Sequence, residues 1–462
     1  MPTVRQAAYR IFEHFGVDRL FGNPGSTELP MLKAMPEDFR YVLGLNEAVV
    51  VGMADGFARS SGKPTLVNLH SAAGTGHSLG NLFTAYRNCA PIVVTAGQQA
   101  RSILPYDPFL YNERASEFPR PYVKYSVEPA RAEDVPQALV RAFITALTPP
   151  MGPCYVSIPV DDWERECEMP ALPELNLSPS PNPDGIARIA AMLDGAKSPA
   201  LVIGTGVANA GGWDAAIALA EKSGASVWAA PYAARETFPE DHPQFAGFLA
   251  AWRDRLRDAL DPHDAILVAG APVFTYHVEG SGPHWPEHAQ LAALSEDPQQ
   301  IAALPGGLGV LGNVRAGLAA LTGKVTARSF FGTTHKLIDP PAEMTAAHVL
   351  KRIAALRPPE AVVVEEAPTA RGPEHVTLPI TREGGFYSCA SGGLGYSLPG
   401  AVGVAMGQGD KVIAILGDGA AMYTVQGLFS AREEVADVSF LILNNSAYAA
   451  LTGFSAEFGM NS

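Results

Sequence analysis

The sequence predicts an α/β protein built from parallel sheets covered by helices, and three observations carry that prediction. Short strand-like apolar runs alternate with helical patterns along the chain. The 45 Gly and 39 Pro are spread as turn punctuation, without a low-complexity tract. A hydrophobic content of 47% against 17% charged residues is that of a well-packed globular chain, and 462 residues are too many for one compact core. The clearest strands are residues 91–95, 200–203, 265–268, 361–364 and 412–416, with a further buried run at 438–443. Residues 166–185, with five prolines, and residues 322–342, with Gly323, Gly332, Pro340 and Pro341, interrupt the rhythm. They divide the chain into three expected domains: 1–165, 186–322 and 343–462.

Charge narrows the partners. The balance of 33 basic against 47 acidic residues gives a net charge of −14, which repels polynucleotides and anionic membrane surfaces. Cys89, Cys154, Cys167 and Cys389 are scattered without CxxC spacing, and no cationic, apolar leader opens the sequence. No apolar run reaches the roughly 18–20 residues that span a bilayer. A cytoplasmic protein with reduced thiols, and with neither nucleic acid nor membrane as partner, is the expectation.

The strongest chemical signal is "KVIAILGDGAAMYTVQGLFSAREEVADVSFLILNNSAYAALTGF". Gly417-Asp418-Gly419 follows a strand, at the tip where open α/β sheets bind ligands. A helix-length segment leads to a second strand whose tip carries Asn444-Asn445. Neighbouring parallel strands would bring Asp418 and Asn445 together, one carboxylate and one amide oxygen, hard ligands suited to Mg²⁺. Mg²⁺ held by so few protein groups usually bridges to phosphate oxygens, which glycine lets backbone N–H groups approach. Either dipeptide alone reads as a turn or a strand end; the spacing of strand, helix and strand favours the ligand site. It is not a P-loop, since GxxxxGK[ST] occurs nowhere, and no GxGxxG follows the first strand.

This segment resembles the thiamin diphosphate enzymes, in which a GDG-to-NN stretch holds Mg²⁺ and the diphosphate. The resemblance implies that Asp418, the Asn445 side chain and the Ala447 carbonyl bind the metal, with Gly419, Ala420 and Tyr448 beside the cofactor. It also implies a second domain gripping the pyrimidine end through a helix that begins with glutamate. "LNEAVVVGMADGFAR" supplies Glu47, followed by Gly52, Ala54 and Gly56, small residues that permit close packing. Alone, Glu47 reads as a first-turn glutamate favoured by the helix dipole. In an apolar interface, desolvation favours its protonated form, which can exchange a proton with the aminopyrimidine. Leu394 in "SGGLGYSLPG" matches the apolar residue that bends the cofactor, with Gly392 and Thr369 also at cofactor positions.

Within that family "FGNPGSTELP", "NLHSAAGTG" and "GAPVFTYH" resemble segments of the benzoylformate decarboxylases, over nearly the whole chain. The resemblance implies three doubly wound domains: pyrimidine-binding, middle and diphosphate-binding. It implies an aromatic 2-keto acid substrate, lost CO₂ and an aldehyde product. Ser26 would meet the substrate carboxylate, while Asn23, Pro24 and Gly25 line the cofactor pocket. A hydroxyl orients the acid without a permanent cation opposing loss of CO₂. Lone histidines are more often structural, but His70 and His277 fall at the family's proton-transfer positions. His70 is assigned to early steps at the keto oxygen, and His277 to later protonation or product release. His77 lies beside the cofactor segment. Leu110, Leu451 and Phe454 match positions that enclose a phenyl ring, and each also reads as ordinary core.

Neighbouring branches fit less well. Pyruvate-type decarboxylases carry an adjacent His-His pair, absent here, and acetohydroxyacid synthases usually bind FAD in a middle domain that here lacks a dinucleotide fingerprint. Two departures stand out. Pro368 replaces a hydroxyl residue beside Thr369, and family members continue beyond the position of Ser462, so the last domain is expected to be shortened. Because family members place the two cofactor-gripping domains on different subunits, at least a homodimer and more specifically a homotetramer is expected. The alternatives are a carboligase or acyl transferase, or a weakly active cofactor-binding homologue.

Overall fold

The computed structural model describes residues 1–332, 334–340, 342–457 and 459–460, without the side chains of residues 453, 454, 456 and 457. It contains three parallel sheets. The first comprises β1 (Arg19–Gly22), β2 (Arg40–Leu43), β3 (Thr65–Leu69), β4 (Ile92–Gln98), β5 (Tyr125–Val127) and β6 (Cys154–Pro159), in the order β2-β1-β3-β4-β6-β5. The second comprises β7 (Pro199–Ile203), β8 (Ser226–Ala229), β9 (Phe245–Phe248), β10 (Ala265–Ala269), β11 (Gln290–Ser295) and β12 (Leu308–Leu311), in the doubly wound order β12-β11-β10-β7-β8-β9. After them come β13 (Val362–Glu366), the short β14 (Phe386–Ser388), β15 (Val412–Gly417) and β16 (Val438–Leu443); β15 pairs in parallel with β13 on one side and β16 on the other. The strands expected at 91–95, 200–203, 265–268, 361–364, 412–416 and 438–443 all form; the first five runs are buried, as the centre of a parallel sheet requires, while β16, at the edge of its sheet, is only partly covered, with Ile442 exposed.

The chain divides into two compact units. One holds Met1–Leu177, Glu360–Thr369 and Cys389–Ser462; the other holds Ser178–Pro359 and Ala370–Ser388. Within the first unit, the helix Glu47–Ser61 packs on the helix Ser397–Gln408. The small residues make this contact: a Cβ on Gly56 would collide with the Gly400 carbonyl, and one on Gly403 with the Met53 carbonyl. Beneath it lies a buried polar group. The Tyr396 hydroxyl donates to Asp55 at 2.7 Å, Asn88 Nδ2 donates to Asp55 at 2.9 Å, and Arg59 donates to the Tyr396 oxygen at 2.9 Å. Burial pushes the Asp55 carboxyl above its ordinary value, against the pull of Arg59 and its hydrogen bonds.

In the second unit two buried glutamates hold the segment 370–388. Glu240 accepts the Ile380 N–H at 3.0 Å and pairs with His375 at 3.0 Å, while Glu236 accepts the Gly384 N–H at 2.9 Å. At the sheet reversal between β7 and β10, Gly204 and Gly206 pack directly on the Gly270-Ala271 turn, so these glycines serve packing. Among the described residues, no helix is long and apolar enough to cross a membrane.

Candidate active site

The order of the first sheet reverses between β1 and β3, the position where doubly wound sheets place their ligands. β1 ends at Gly22 and β3 at Leu69 in neighbouring parallel strands, so residues 23–28 and His70 leave the same carboxyl edge. Glu28, 1% exposed, organises this edge. Its Oε2 accepts the Gly25 N–H at 2.8 Å and lies 2.9 Å from His70 Nδ1; its Oε1 accepts the Thr27 hydroxyl at 2.5 Å. An ionised carboxylate only accepts, so the His70 ring donates through Nδ1 and, when neutral, leaves Nε2 as a proton acceptor. Gly25 makes room for that ring: a Cβ there would overlap His70 Nδ1.

Glu47 is the first residue of its helix, behind Asn46, whose side chain caps it by accepting the Ala48 N–H at 2.8 Å. The carboxylate is buried. Asn23 Nδ2 donates to Oε1 at 3.1 Å, and His77 Nδ1 lies 3.2 Å from Oε2. Asn23, Glu47 and His77 therefore form one chain of polar contacts, with His77 on its exposed side. Gly74 packs beneath, where a Cβ would lie 3.1 Å from Glu47 Oε1.

β15 and β16 pair with Gly417 opposite Leu443, which sets Asp418 and Asn444-Asn445 at adjacent strand tips. Asp418 opens the helix Asp418–Tyr423, and its Oδ2 accepts the Ser446 N–H at 3.2 Å. Asn444 and Asn445 curl the following turn by accepting the Ser446 and Ala447 N–H groups, each at 3.0 Å. Ala420 is buried, and the Tyr448 ring lies about 3.7 Å from where a Gly419 Cβ would stand. One carboxylate and two amide side chains at adjacent strand tips are hard-oxygen donors, a chemistry that suits Mg²⁺. Among the described residues, no three His, Cys, Asp or Glu side chains cluster as a metal set.

The loop bearing Gly392 and Leu394 is anchored by the buried Glu366, which accepts the Gly395 and Ser397 N–H groups. Burial pushes the Glu366 carboxyl up to about 7, against the lowering effect of those hydrogen bonds. Gly392 has φ +73°, which glycine adopts freely, and Leu394 is half-buried. The Gly395 carbonyl accepts from Asn81 Nδ2 at 3.2 Å and Thr424 Oγ1 at 3.0 Å, and the same Asn81 nitrogen donates to the Ala48 carbonyl at 2.6 Å.

The remaining expected residues are placed as follows. Pro24, Ser26, Pro368, Thr369, Asn445 and Ala447 are exposed on the chain. Leu110 and Leu451 are 37% and 66% exposed, so neither is core. The Phe454 side chain lies outside the described residues. His277 belongs to the second unit, in irregular chain beyond β10, with its Nδ1 2.8 Å from the Tyr232 hydroxyl oxygen.

Three family matches cover most of the sequence. Residues 2–114 match the thiamine pyrophosphate enzyme N-terminal TPP binding domain, residues 186–321 the central domain and residues 374–462 the C-terminal TPP binding domain. The chain belongs to the thiamine pyrophosphate enzymes. This enzyme is 41% identical to a benzoylformate decarboxylase from Pseudomonas aeruginosa, over 98% of its own length and 88% of the relative's. Its structure is similar to that of benzoylformate decarboxylase from Polynucleobacter necessarius, with a TM-score of 0.97 at 36% identity, covering 99% of this chain and 88% of that one. It is also similar to the thiamine diphosphate-dependent 4-hydroxybenzoylformate decarboxylase of Rhodococcus jostii, with a TM-score of 0.95 at 39% identity, covering 99% and 89%. This homology places the thiamine pyrophosphate enzyme among carboxy-lyases.

The sequence reading missed Glu28, Asn81 and Glu366. Glu28 stands inside the quoted "FGNPGSTELP", where a glutamate three residues after Gly25, near a strand tip, signals a carboxylate folding back on its own turn.

Proposed function

We propose that this enzyme decarboxylates an aromatic 2-keto acid of the benzoylformate kind to an aldehyde and CO₂, with thiamin diphosphate and Mg²⁺. The observation that supports the reading is the Glu28–His70 arrangement at the switch point, in which the imidazole packs against Gly25 and lies 3.2 Å from the Thr27 hydroxyl oxygen. The names of the relatives, which act on benzoylformate and 4-hydroxybenzoylformate, support the aryl substrate.

Asp418, the Asn445 amide oxygen and the Ala447 carbonyl would hold Mg²⁺, with Gly419, Ala420 and Tyr448 beside the diphosphate. Gly392, Thr369, Asn23, Pro24 and Gly25 would line the cofactor pocket, with Leu394 as the apolar residue beneath the thiazolium. When bound, the cofactor supplies a carbon nucleophile and a sink for the electrons released with CO₂. Glu47, held by Asn23 and His77, would hold and move the proton at its carboxyl that the pyrimidine half of the cofactor calls for. Ser26 orients the substrate carboxylate through its hydroxyl. His70 handles the proton at the keto oxygen, its ring fixed by Glu28, and His277 serves later proton delivery or product release. Leu110, Leu451 and Phe454 offer apolar area to the aryl group. The domain roles follow the sequence division: 1–165 for the pyrimidine, 186–322 as the middle domain and 343–462 for the diphosphate.

A homodimer at least, and a homotetramer by family pattern, accounts for apolar residues left on the surface of the first unit, among them Tyr106, Phe109 and Met422, which are 80%, 84% and 70% exposed. A cytoplasmic location belongs to the same reading. The test is CO₂ and aldehyde release from benzoylformate, pyruvate and a branched-chain keto acid, with and without thiamin diphosphate and Mg²⁺. Benzaldehyde formed only with cofactor is expected. No release from any acid by protein shown to bind cofactor would overturn it, and coupled products with added aldehyde would favour a carboligase.

A further inference from the structure

Tyr232 sits in the turn that follows β8, with φ +54°. That region suits glycine or asparagine, and a bulky aromatic residue there is an outlier of the kind that gathers at functional sites. The turn is pinned on both sides: Ala230 N–H donates to the Ile203 carbonyl at 2.8 Å, and Ala234 N–H donates to Thr205 Oγ1 at 2.8 Å. The phenol it projects lies 2.8 Å from His277 Nδ1, with the rings tilted by 46° and their centroids 6.1 Å apart. His277 is fixed from its own side, since its N–H and that of Val278 both donate to the Ala251 carbonyl, at 2.8 and 3.2 Å. Both side chains are exposed, so core packing does not account for the pairing.

We propose that Tyr232 is a positioning residue that sets the tautomer of His277: its O–H donates to Nδ1, so the neutral ring carries its hydrogen on Nε2 and meets the substrate as a hydrogen-bond donor. The inference rests on the reading of His277 as an active-site histidine. Partial burial raises the Tyr232 hydroxyl above an ordinary phenol, opposed by the Arg371 cation, which keeps the donor proton in place. A phenol also accepts, so if the ring gains a second proton, Tyr232 can receive the Nδ1–H while Nε2 keeps its hydrogen. The carboxylate behind His70 can only accept; it therefore fixes the opposite arrangement on that ring.

The test is histidine-selective ¹³C and ¹⁵N NMR of the cofactor-loaded and cofactor-free protein, with the His277 signals assigned by their loss in His277→Gln. The native signals should be those of an Nε2–H ring, and Tyr232→Phe should shift them toward a mixture of tautomers. The same variant should lower kcat on benzoylformate roughly three- to tenfold, and should add no further loss in a His277→Gln background. An Nδ1–H ring in the native protein, tautomer signals unchanged in Tyr232→Phe, or an equal kinetic loss in both backgrounds would overturn the proposal. Full turnover by His277→Gln would instead overturn the role given to His277, while the cofactor-free NMR result would still decide what Tyr232 does to the ring.

Discussion

His70 and His277 each have a partner close to Nδ1, Glu28 at 2.9 Å for the first and Tyr232 at 2.8 Å for the second, and these two partners are chemically opposite. His70 leans on a buried carboxylate that also takes the Gly25 N–H and the Thr27 hydroxyl. His277 leans on a surface phenol. The first arrangement makes Nε2 an acceptor and can stabilise positive charge on the ring; the second makes Nε2 a donor. Two identical side chains are thereby given different hydrogen-bonding surroundings, and the residue type behind each ring makes the difference.

The comparison can be broken or sharpened by substitution. The largest effect is expected from Glu47→Gln, since the proposed function gives that carboxyl a proton-transfer role that neither histidine would replace. Turnover of benzoylformate should fall about 10²- to 10⁴-fold, and a variant keeping more than a small fraction of native turnover would remove Glu47 from the relay. Next comes Glu28→Gln, which replaces charged hydrogen bonds to His70 with neutral ones. A loss of about 1.5–3 kcal/mol, roughly ten- to a hundredfold in kcat, is expected; an unchanged kcat would reduce Glu28 to packing and dissolve the contrast. Gly25→Ala should push the His70 ring away from Glu28 and cost about 1–3 kcal/mol of stability by overpacking. Parallel melting and kinetic measurements would reveal whether activity falls beyond what stability explains; a neutral substitution would contradict the close approach.

The smallest effect on catalysis is expected at Glu366, which touches neither histidine. Its carboxyl is raised from 4.5 to about 7 in the fold, so the folded state holds a proton that the unfolded state has released between those values. Its contribution is therefore present below pH 4.5 and lost as pH rises through about 7, by up to about 3 kcal/mol. Glu366→Gln cannot titrate, so urea unfolding should find the variant gaining on the native protein between pH 4.5 and 8. A difference independent of pH would sink this assignment.

Much of the fold was legible because it rests on local rules. Apolar runs gave the strands, and the "NEA" start, with Asn46 as cap, gave the Glu47 helix. The small residues at Gly52 and Gly56 pointed to a close helix contact, and the spacing of Asp418 and Asn445 pointed to adjacent tips. What stayed hidden depends on chain geometry over long separations. Glu28 reaches a histidine 42 residues away and Tyr232 one 45 away. The segment 370–388 joins the second unit because Glu236 and Glu240 bind its amides, which no composition shift announces. Nor can a sequence say that Leu110 and Leu451 face solvent on the chain when neighbouring leucines form core.

Asn81 has a single side-chain nitrogen, and it spans two carbonyls, one in the first turn of the Glu47 helix and one in the loop after Leu394. That amide works as a rigid strut. A displacement of either element is transmitted to the other, because each carbonyl takes one of the two N–H groups on the same nitrogen. The first turn of the Glu47 helix and the loop after Leu394 are consequently held as one mechanical part.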